Sequence, residues 1–402
     1  MGGCVAGDLR RGAGFAVIWL ATLPALAAGA YYVLVIVAAI KWGRSAGRSR
    51  GLGSDRIPPV SILKPVHGRD PQFYEAIVSH AAQEYPEFEI LFGSCTAADP
   101  ALEDVRRLQR AFPQRRIEAV VIPTDAPNAK VGVLAELAKQ ARYPLLLVND
   151  SDIRVEPGYL TTVTAPLADP AIGLVTCLYR GAARSWASRA EALGIATEFA
   201  PSVLVARLLG VVEFALGSTM VFRSETLRRI GGFENIANYL ADDYQLGRRI
   251  SQLGYKIDFA SVVVETDLGA ESWRGVLQHQ LRWARTIRVS RPPGYYGYVV
   301  THATLWSLTA MALGQWRAAV MVLAVRILAG VWVGAVILKD SKVFRDFWMI
   351  PLRDLFGFAV WVGGLFGNTV QWRDRELRLR RDGRIVEDNT LPRHSRPIDC
   401  NS

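Results

Sequence analysis

The sequence predicts an α/β fold, a mostly parallel sheet with helices on both faces, set between membrane helices at the two ends of the chain. Three observations predict it. Short apolar runs alternate with amphipathic helical segments from Val60 to about Val264. One of these runs, Leu145-Leu146-Leu147-Val148, is apolar at every position, as a strand buried on both faces must be. Apolar stretches long enough to span a bilayer flank the region. Half of the residues are hydrophobic (50%), and the mean hydropathy is +0.16.

Residues 15–40 carry no charge and form the first such stretch. Arg10-Arg11 before it and Ala25-Leu26-Ala27 within it resemble a cleavable signal, but the apolar run continues well past Ala27, which favours an uncleaved anchor. Lys41, Arg44, Arg48 and Arg50 follow at once, so the next domain is expected in the cytoplasm. Residues 43–59, rich in Gly, Ser and Arg, read as a linker.

Strand and helix then alternate. Strands are expected over 60–63, 89–92, 117–122 and 145–148, with helices over 71–82, 101–112 and 131–141 between them. This βαβαβαβ order argues a parallel sheet. A further strand is expected over 171–176. Residues 191–216 read as core or membrane-interface helix, because Glu198, Arg207 and Glu213 interrupt the apolar pattern. The full organisation expected is an anchor over 14–41, a linker over 42–58, a cytoplasmic domain over 59–296 and a transmembrane hairpin over 297–338. A third membrane segment, spanning or re-entrant, follows over 346–371 with Arg353-Asp354 inside it, then a basic tail over 372–402.

The net charge of +10 suits nucleic acid or an anionic lipid surface. Aromatic residues do not interleave with Lys and Arg as single-strand binders require, so no nucleic-acid partner is expected. The four cysteines make neither a disulfide framework nor a zinc spacing.

Four features carry chemistry. Asp150 and Asp152 leave the apolar strand one residue apart, so both side chains point the same way, at the strand end where open α/β sheets bind ligands. Two hard oxygen ligands suit a divalent cation, Mg²⁺ or Mn²⁺, holding a diphosphate; a helix cap is the alternative. Lys130 starts a helix and reads either as a phosphate contact or as an exposed lysine. Asp242-Asp243 precede a helical pattern and serve either as its cap or, in one of the two, as a general base. His279, Arg282 and Trp283 share one helical face, fit for clamping a diphosphate and stacking on a ring or for lying on a membrane surface.

The order of these elements resembles the family 2-like glycosyltransferases of GT-A fold, and most closely the ceramide glucosyltransferase family, family 21. The resemblance runs from about 59 to 295 through Val60-Ser61-Ile62-Leu63-Lys64-Pro65, Asp99-Pro100-Ala101, Asp150-Ser151-Asp152-Ile153-Arg154-Val155, Ala241-Asp242-Asp243-Tyr244 and Arg282-Trp283. It extends to Pro351-Leu352-Arg353-Asp354 and Phe358-Ala359-Val360-Trp361. It implies a multi-pass membrane enzyme with a Rossmann-like catalytic domain in the cytoplasm, moving a hexose from a UDP-sugar to a lipid hydroxyl with inversion. Asp150 and Asp152 would then hold the metal and diphosphate, and Asp243 would be the base with Asp242 in support. Lys64, Asp99, Lys130, His279, Arg282 and Trp283 would bind the nucleotide-sugar. Two positions depart from the pattern: Thr96 stands where the family's first aspartate usually does, three residues before Asp99, and His279 replaces the usual Gln or Arg. The charge of that histidine depends on pH.

Residues 173–181 and 201–207 resemble the hopanoid-associated bacterial branch, which implies N-acetylglucosamine transfer onto a hopanoid polyol in a bacterial inner membrane. Ceramide and hopanoid both stand as acceptors. A processive polysaccharide synthase and a catalytically silent scaffold are the other readings.

Overall fold

A computed structural model of the chain describes residues 3–46, 57–70, 72–372 and 375–386. The linker expected over 42–58 lies largely outside the described residues, as does the tail beyond Val386. The chain forms two compact units.

The larger unit is drawn from Ser45–Ala192, Val211–Ser290 and Gly367 onward. Its sheet has eight strands: β1 (Val60–Pro65), β2 (Phe88–Ser94), β3 (Arg116–Val121), β4 (Leu145–Val148), β5 (Ile153–Arg154), β6 (Ile172–Ala182), β7 (Met220–Arg223) and β8 (Lys256–Asp267). They lie in the order β3-β2-β1-β4-β7-β6-β8-β5. The first four in that order run parallel, as expected. β7 is antiparallel to β4 and to β6, while β6 and β8 are parallel.

The apolar run at β4 is buried on both faces. Leu145 and Leu147 join one hydrophobic core with Val60, Ile62, Ile90 and Phe92. Leu146 and Val148 join another with Leu63, Leu91, Val131 and Leu134. Alternate side chains of one strand thus feed two cores, as a central strand in a helix-covered sheet requires. The helix Ala129–Gln140 starts at Asn128, whose side chain accepts from the Val131 amide at 3.3 Å, a capping bond that fixes Lys130 in the first turn.

A second sheet, β9 (Thr369–Trp372), β10 (Arg375–Leu379) and β11 (Ile385–Val386), belongs to the same unit. Here the segment expected as the start of a basic tail is ordered. Leu377 and Leu379 alternate inward and pack with Val370, Ile385 and Leu240. The Ile385 amide donates to Asn238 O at 2.8 Å, so β11 is stitched to the segment that leads into Asp242.

The smaller unit is helical, drawn from residues up to Arg44, Leu193–Gly210 and Arg291–Phe366. Two of its helices, Thr22–Arg44 and Trp316–Ile337, are long and apolar enough to cross a bilayer, at 23 and 22 residues. Ala25, Ala28, Ala319 and Ala329 are buried, while Leu23, Val33, Val320, Met321, Leu328 and Val336 are exposed. Small residues inside and large apolar ones outside is the pattern of a lipid-facing helix. The helices Ala303–Ala312 and Ile350–Gly364 have 10 and 15 residues, a reach of about 15 and 22 Å against about 30 Å of hydrocarbon.

Arg353 and Asp354, adjacent in sequence, take partners from other segments. Arg326, fully buried, donates to Asp354 from Nε at 3.1 Å and Nη2 at 2.6 Å. Arg353 pairs with Glu198 at 3.2 Å. Glu198 lies in a π-helical turn, Ile195–Phe199, inside the stretch expected as core or interface helix.

Candidate functional site

The site is built at the ends of β1 and β4 in the larger unit. The β1–β4 pairing ends with Leu63 opposite Val148; Asn149 leaves β4 there, while Lys64 is still within β1, paired with Phe92 of β2. Lys64 is completely buried and its ammonium donates to the backbone carbonyl of Asp150 at 3.1 Å. Burial pulls its pKa down to about 7 against the opposing charges of Asp152 and Asp150. In this position Lys64 braces the loop that carries Asp150.

Asp150 turns its carboxylate toward Lys130, whose ammonium lies 2.8 Å from Asp150 Oδ1 and 3.1 Å from Asp242 Oδ2. Burial lowers the pKa of Lys130, but Asp150 and Asp242 more than offset that and hold it above the ordinary range. Asp243 follows Asp242 in the first turn of the helix Asp242–Gln252. Its Oδ2 accepts from the Gly217 amide at 3.0 Å and its Oδ1 from the Tyr244 amide at 2.7 Å. Burial, and then the neighbouring Asp242 charge, raise its pKa to about 6, with Lys130 opposing. Asp152 is bonded by the Thr266 hydroxyl, and burial followed by the Asp150 charge raise it to about 6 as well.

Acids distant in the chain therefore share one electrostatic environment. A side chain at Gly217 would place its Cβ 3.3 Å from Asp150 Oδ2 and 3.5 Å from Asp243 Oδ2. Glycine at this position leaves a cradle between the two carboxylates. Among the described residues no three His, Cys, Asp or Glu side chains converge closely enough to hold a metal by themselves. One or two carboxylates plus substrate phosphates is the way Mg²⁺ and similar hard cations are held, and the cradle beside Asp150, whose side chain is 44% exposed, fits that donor set.

The motif at 279–283 lies on the helix Trp273–Ser290. His279 Nδ1 lies 2.6 Å from Glu191 Oε1, and the His279 and Trp283 rings meet edge-on with centroids 4.5 Å apart. Arg282 and Trp283 are both half-buried. Tyr179, on β6, bridges this region and the acids: burial first, then the charges of Asp243, Asp150, Glu191 and Asp152, keep its phenol protonated. Asp99 is buried, and its oxygens accept from the Gly68 and Ala101 amides at 3.1 and 2.9 Å and from Ser94 Oγ at 2.7 Å. Its carboxylate knits the loop after β1 to the start of the helix Ala101–Ala111.

Sequence reasoning missed Asp70, Glu191, Tyr179 and Gly217 as parts of this region. Asp70 accepts from Ser151 Oγ at 2.6 Å and helps to raise Asp152. Nothing local in the sequence marks it. Glu191 sits in the first turns of an apolar stretch, where an isolated acid was the available signal.

Residues 17–385 match the model of glycosyl transferase family 21. Ceramide glucosyltransferase 3 of Caenorhabditis elegans is 25% identical over 358 residues, covering 82% of this chain and 74% of that protein. Ceramide glucosyltransferase 1 of the same organism is 32% identical over 205 residues, covering 50% of this chain and 43% of that protein. A mannosyltransferase from Pyrobaculum calidifontis, solved in complex with GDP-Man and Mn²⁺, is similar at 19% identity over 85% of this chain and 99% of that one, with a TM-score of 0.46.

Proposed function

Because the chain belongs to glycosyl transferase family 21, we propose that this glycosyltransferase moves a hexose from a UDP-sugar to a lipid hydroxyl, with inversion at the anomeric carbon. The observation that carries the reading is the meeting of Asp150 and Asp243 across Gly217, with Lys130 joining Asp150 to Asp242. A single displacement needs one base and a stabilised leaving group.

In this mechanism Asp243 takes the proton from the acceptor hydroxyl as that oxygen attacks the anomeric carbon. Two backbone amides fix its carboxylate, and a pKa near neutrality suits a general base. Asp150 and Asp152 would hold a divalent cation, which when bound supplies Lewis-acid neutralisation of the diphosphate. Lys130, poised between Asp150 and Asp242, adds a second positive charge beside the diphosphate oxygens. Lys64 keeps Asp150 in place from below.

The acceptor follows from two sources. The curated relatives are ceramide glucosyltransferases, which supports ceramide with glucose as donor sugar. The segment 173–181 that resembles the hopanoid branch forms most of β6 and carries Tyr179 toward the acids, which supports a hopanoid polyol with N-acetylglucosamine.

The enzyme works at a membrane. The helices Thr22–Arg44 and Trp316–Ile337 support spanning segments, with the catalytic unit in the cytoplasm by the charge bias after the first. The chain leaves that unit at Ser290 and rejoins it at Gly367.

Membranes containing the protein, incubated with radiolabelled UDP-glucose and UDP-N-acetylglucosamine, test the reading. Label in organic-extractable lipid is the expected result, and the mass of the product names the acceptor. Label in polymer would replace the proposal with a polysaccharide synthase, and no label at all would leave a scaffold.

A further inference from the structure

The loop that carries Asp150 and Asp152 is gripped at both ends by one short stretch of chain. Ser79 and His80 lie in the last turn of the helix Phe73–Ala81, and Gln83 follows it. His80 and Asn149 are completely buried, and His80 Nε2 lies 2.7 Å from Asn149 Nδ2. His80 Nδ1 faces Ala76 O at 3.0 Å, a group that only accepts, so Nδ1 carries a hydrogen. Burial, then the charge of Lys64, hold the imidazole neutral, which leaves Nε2 to accept from the Asn149 amide. Asn149 is the residue immediately before Asp150. At the far end of the loop Ser79 Oγ accepts from the Val155 amide at 3.1 Å. Gln83 donates to Glu156 O at 2.8 Å and accepts from the Leu160 amide at 3.0 Å. The Asn149 side chain also meets the Tyr159 phenol, which shares a hydrogen bond with Thr219 Oγ1 at 2.9 Å. Thr219 stands two residues after Gly217, whose amide fixes Asp243.

We propose that His80 is a positioning residue: its bond to Asn149, together with the Ser79 bond to Val155, sets the path of the loop between them so that Asp150 and Asp152 close on a divalent cation and a nucleoside diphosphate. The inference rests on the glycosyltransferase reading above. The strand pairings of β4 end at Val148 and those of β5 begin at Ile153, so the sheet itself does not set the path of the residues between. Lys64, through Asp150 O, and Asp70, through Ser151 Oγ, brace the middle of that path. His80 and Ser79 brace its ends. Groups that orient the ligands of a cation from behind tune its affinity without touching it. His80 stands in that relation to Asp150, through the one residue between them.

The experiment is Mn²⁺ binding to the full-length protein in detergent at saturating UDP, read from the electron paramagnetic resonance signal of free Mn²⁺. UDP binding without metal and sugar transfer are measured beside it. His80→Leu keeps bulk and loses the acceptor. Its Mn²⁺ affinity is expected to fall about tenfold to a hundredfold. The Mn²⁺ concentration for half-maximal transfer should rise with it, while UDP binding without metal stays at the wild-type level. In His80→Gln, whose amide oxygen can stand at the place of Nε2, the affinity returns toward wild type. Ser79→Ala gives up one hydrogen bond and should weaken Mn²⁺ binding about threefold to tenfold. Melting temperatures establish that each variant is folded. A folded His80→Leu with wild-type Mn²⁺ affinity overturns this inference alone. So does a loss that His80→Gln fails to restore, because that is the signature of a packing role. Should His80→Leu fail to fold, Ser79→Ala carries the test, and wild-type Mn²⁺ affinity there overturns the inference. A wild type that binds UDP and transfers sugar without taking up Mn²⁺ overturns this inference and leaves the transferase standing. A wild type that binds no UDP and transfers no sugar overturns the functional reading and this inference with it.

Discussion

Asp150 and Asp243 both approach Gly217: a Cβ there would lie 3.3 Å from Oδ2 of the first and 3.5 Å from Oδ2 of the second. The Gly217 amide also donates to Asp243 at 3.0 Å. Gly217→Ala is therefore predicted to fold, since its cost falls on the space between two carboxylates. Transfer should drop about tenfold to a hundredfold, the usual result of a sub-ångström to 1 Å misplacement at a reacting centre. A melting curve beside kcat/KM separates the two effects, and an unchanged kcat/KM would remove the cradle from the site.

Asp243→Asn keeps the shape of the side chain and removes the base. Turnover should fall by about 10²–10⁴, while the affinity for UDP-sugar survives. Isothermal titration alongside the transfer assay reads both, and undiminished turnover would assign the base elsewhere.

The same residue sets a pH limb. Burial, then the Asp242 charge, raise Asp243 to about 6. A base works deprotonated, so kcat/KM should be level above about pH 7 and fall tenfold per unit below about 6. Asp242→Asn removes the repelling charge and leaves more of Lys130 to Asp243, so both effects lower its pKa. The acid limb should move to lower pH in that variant. A limb that stays put, or moves up, would contradict the arrangement.

Asp150 carries its own signature. Asp150→Ala should lose activity together with its dependence on Mg²⁺ or Mn²⁺, because one of the oxygens that fits a hard cation is gone. The variant also frees Lys130 from its 2.8 Å pair, so residual UDP binding should persist without added metal. Titrating metal against activity in wild type and variant makes the comparison, and a wild-type response in the variant would place the cation elsewhere.

The parallel half of the sheet was legible because its strands are short, continuous and apolar, and because β4 feeds two cores with alternate side chains. The antiparallel half was largely illegible. β7 has four residues, and β6 and β8 pair with two register shifts, so neither gives a clean local period. The acids were legible by order and by resemblance, since each ends or begins an element. Glu191 and Asp70 were not, because their partners, His279 and Ser151, are 88 and 81 residues away in sequence. At 375–379 the alternation of Leu377 and Leu379 with Arg and Glu was present, but charge dominated the composition and hid the period of two.

That small C-terminal sheet yields the last prediction. Arg285 and Arg288, on the helix that carries His279, donate to Thr369 O at 2.5 Å and to Gly367 O at 2.6 Å. On the other side β11 is bonded to Asn238, and Tyr239 OH receives Arg384 Nε at 3.2 Å. The sheet thus ties the His279 helix to the segment immediately before Asp242. Its own core is five buried residues, so each counts heavily. Leu379→Ala should cost about 2–5 kcal/mol locally, enough to loosen a sheet this small. Transfer should fall with it, although no residue of the sheet belongs to the acid cluster. Hydrogen exchange should rise in β9–β11 and 238–241 and remain low in β1 and β4. Exchange spreading evenly through the large sheet would mean a global loss of stability, and unaltered activity would show that the C-terminal strands do not hold the site.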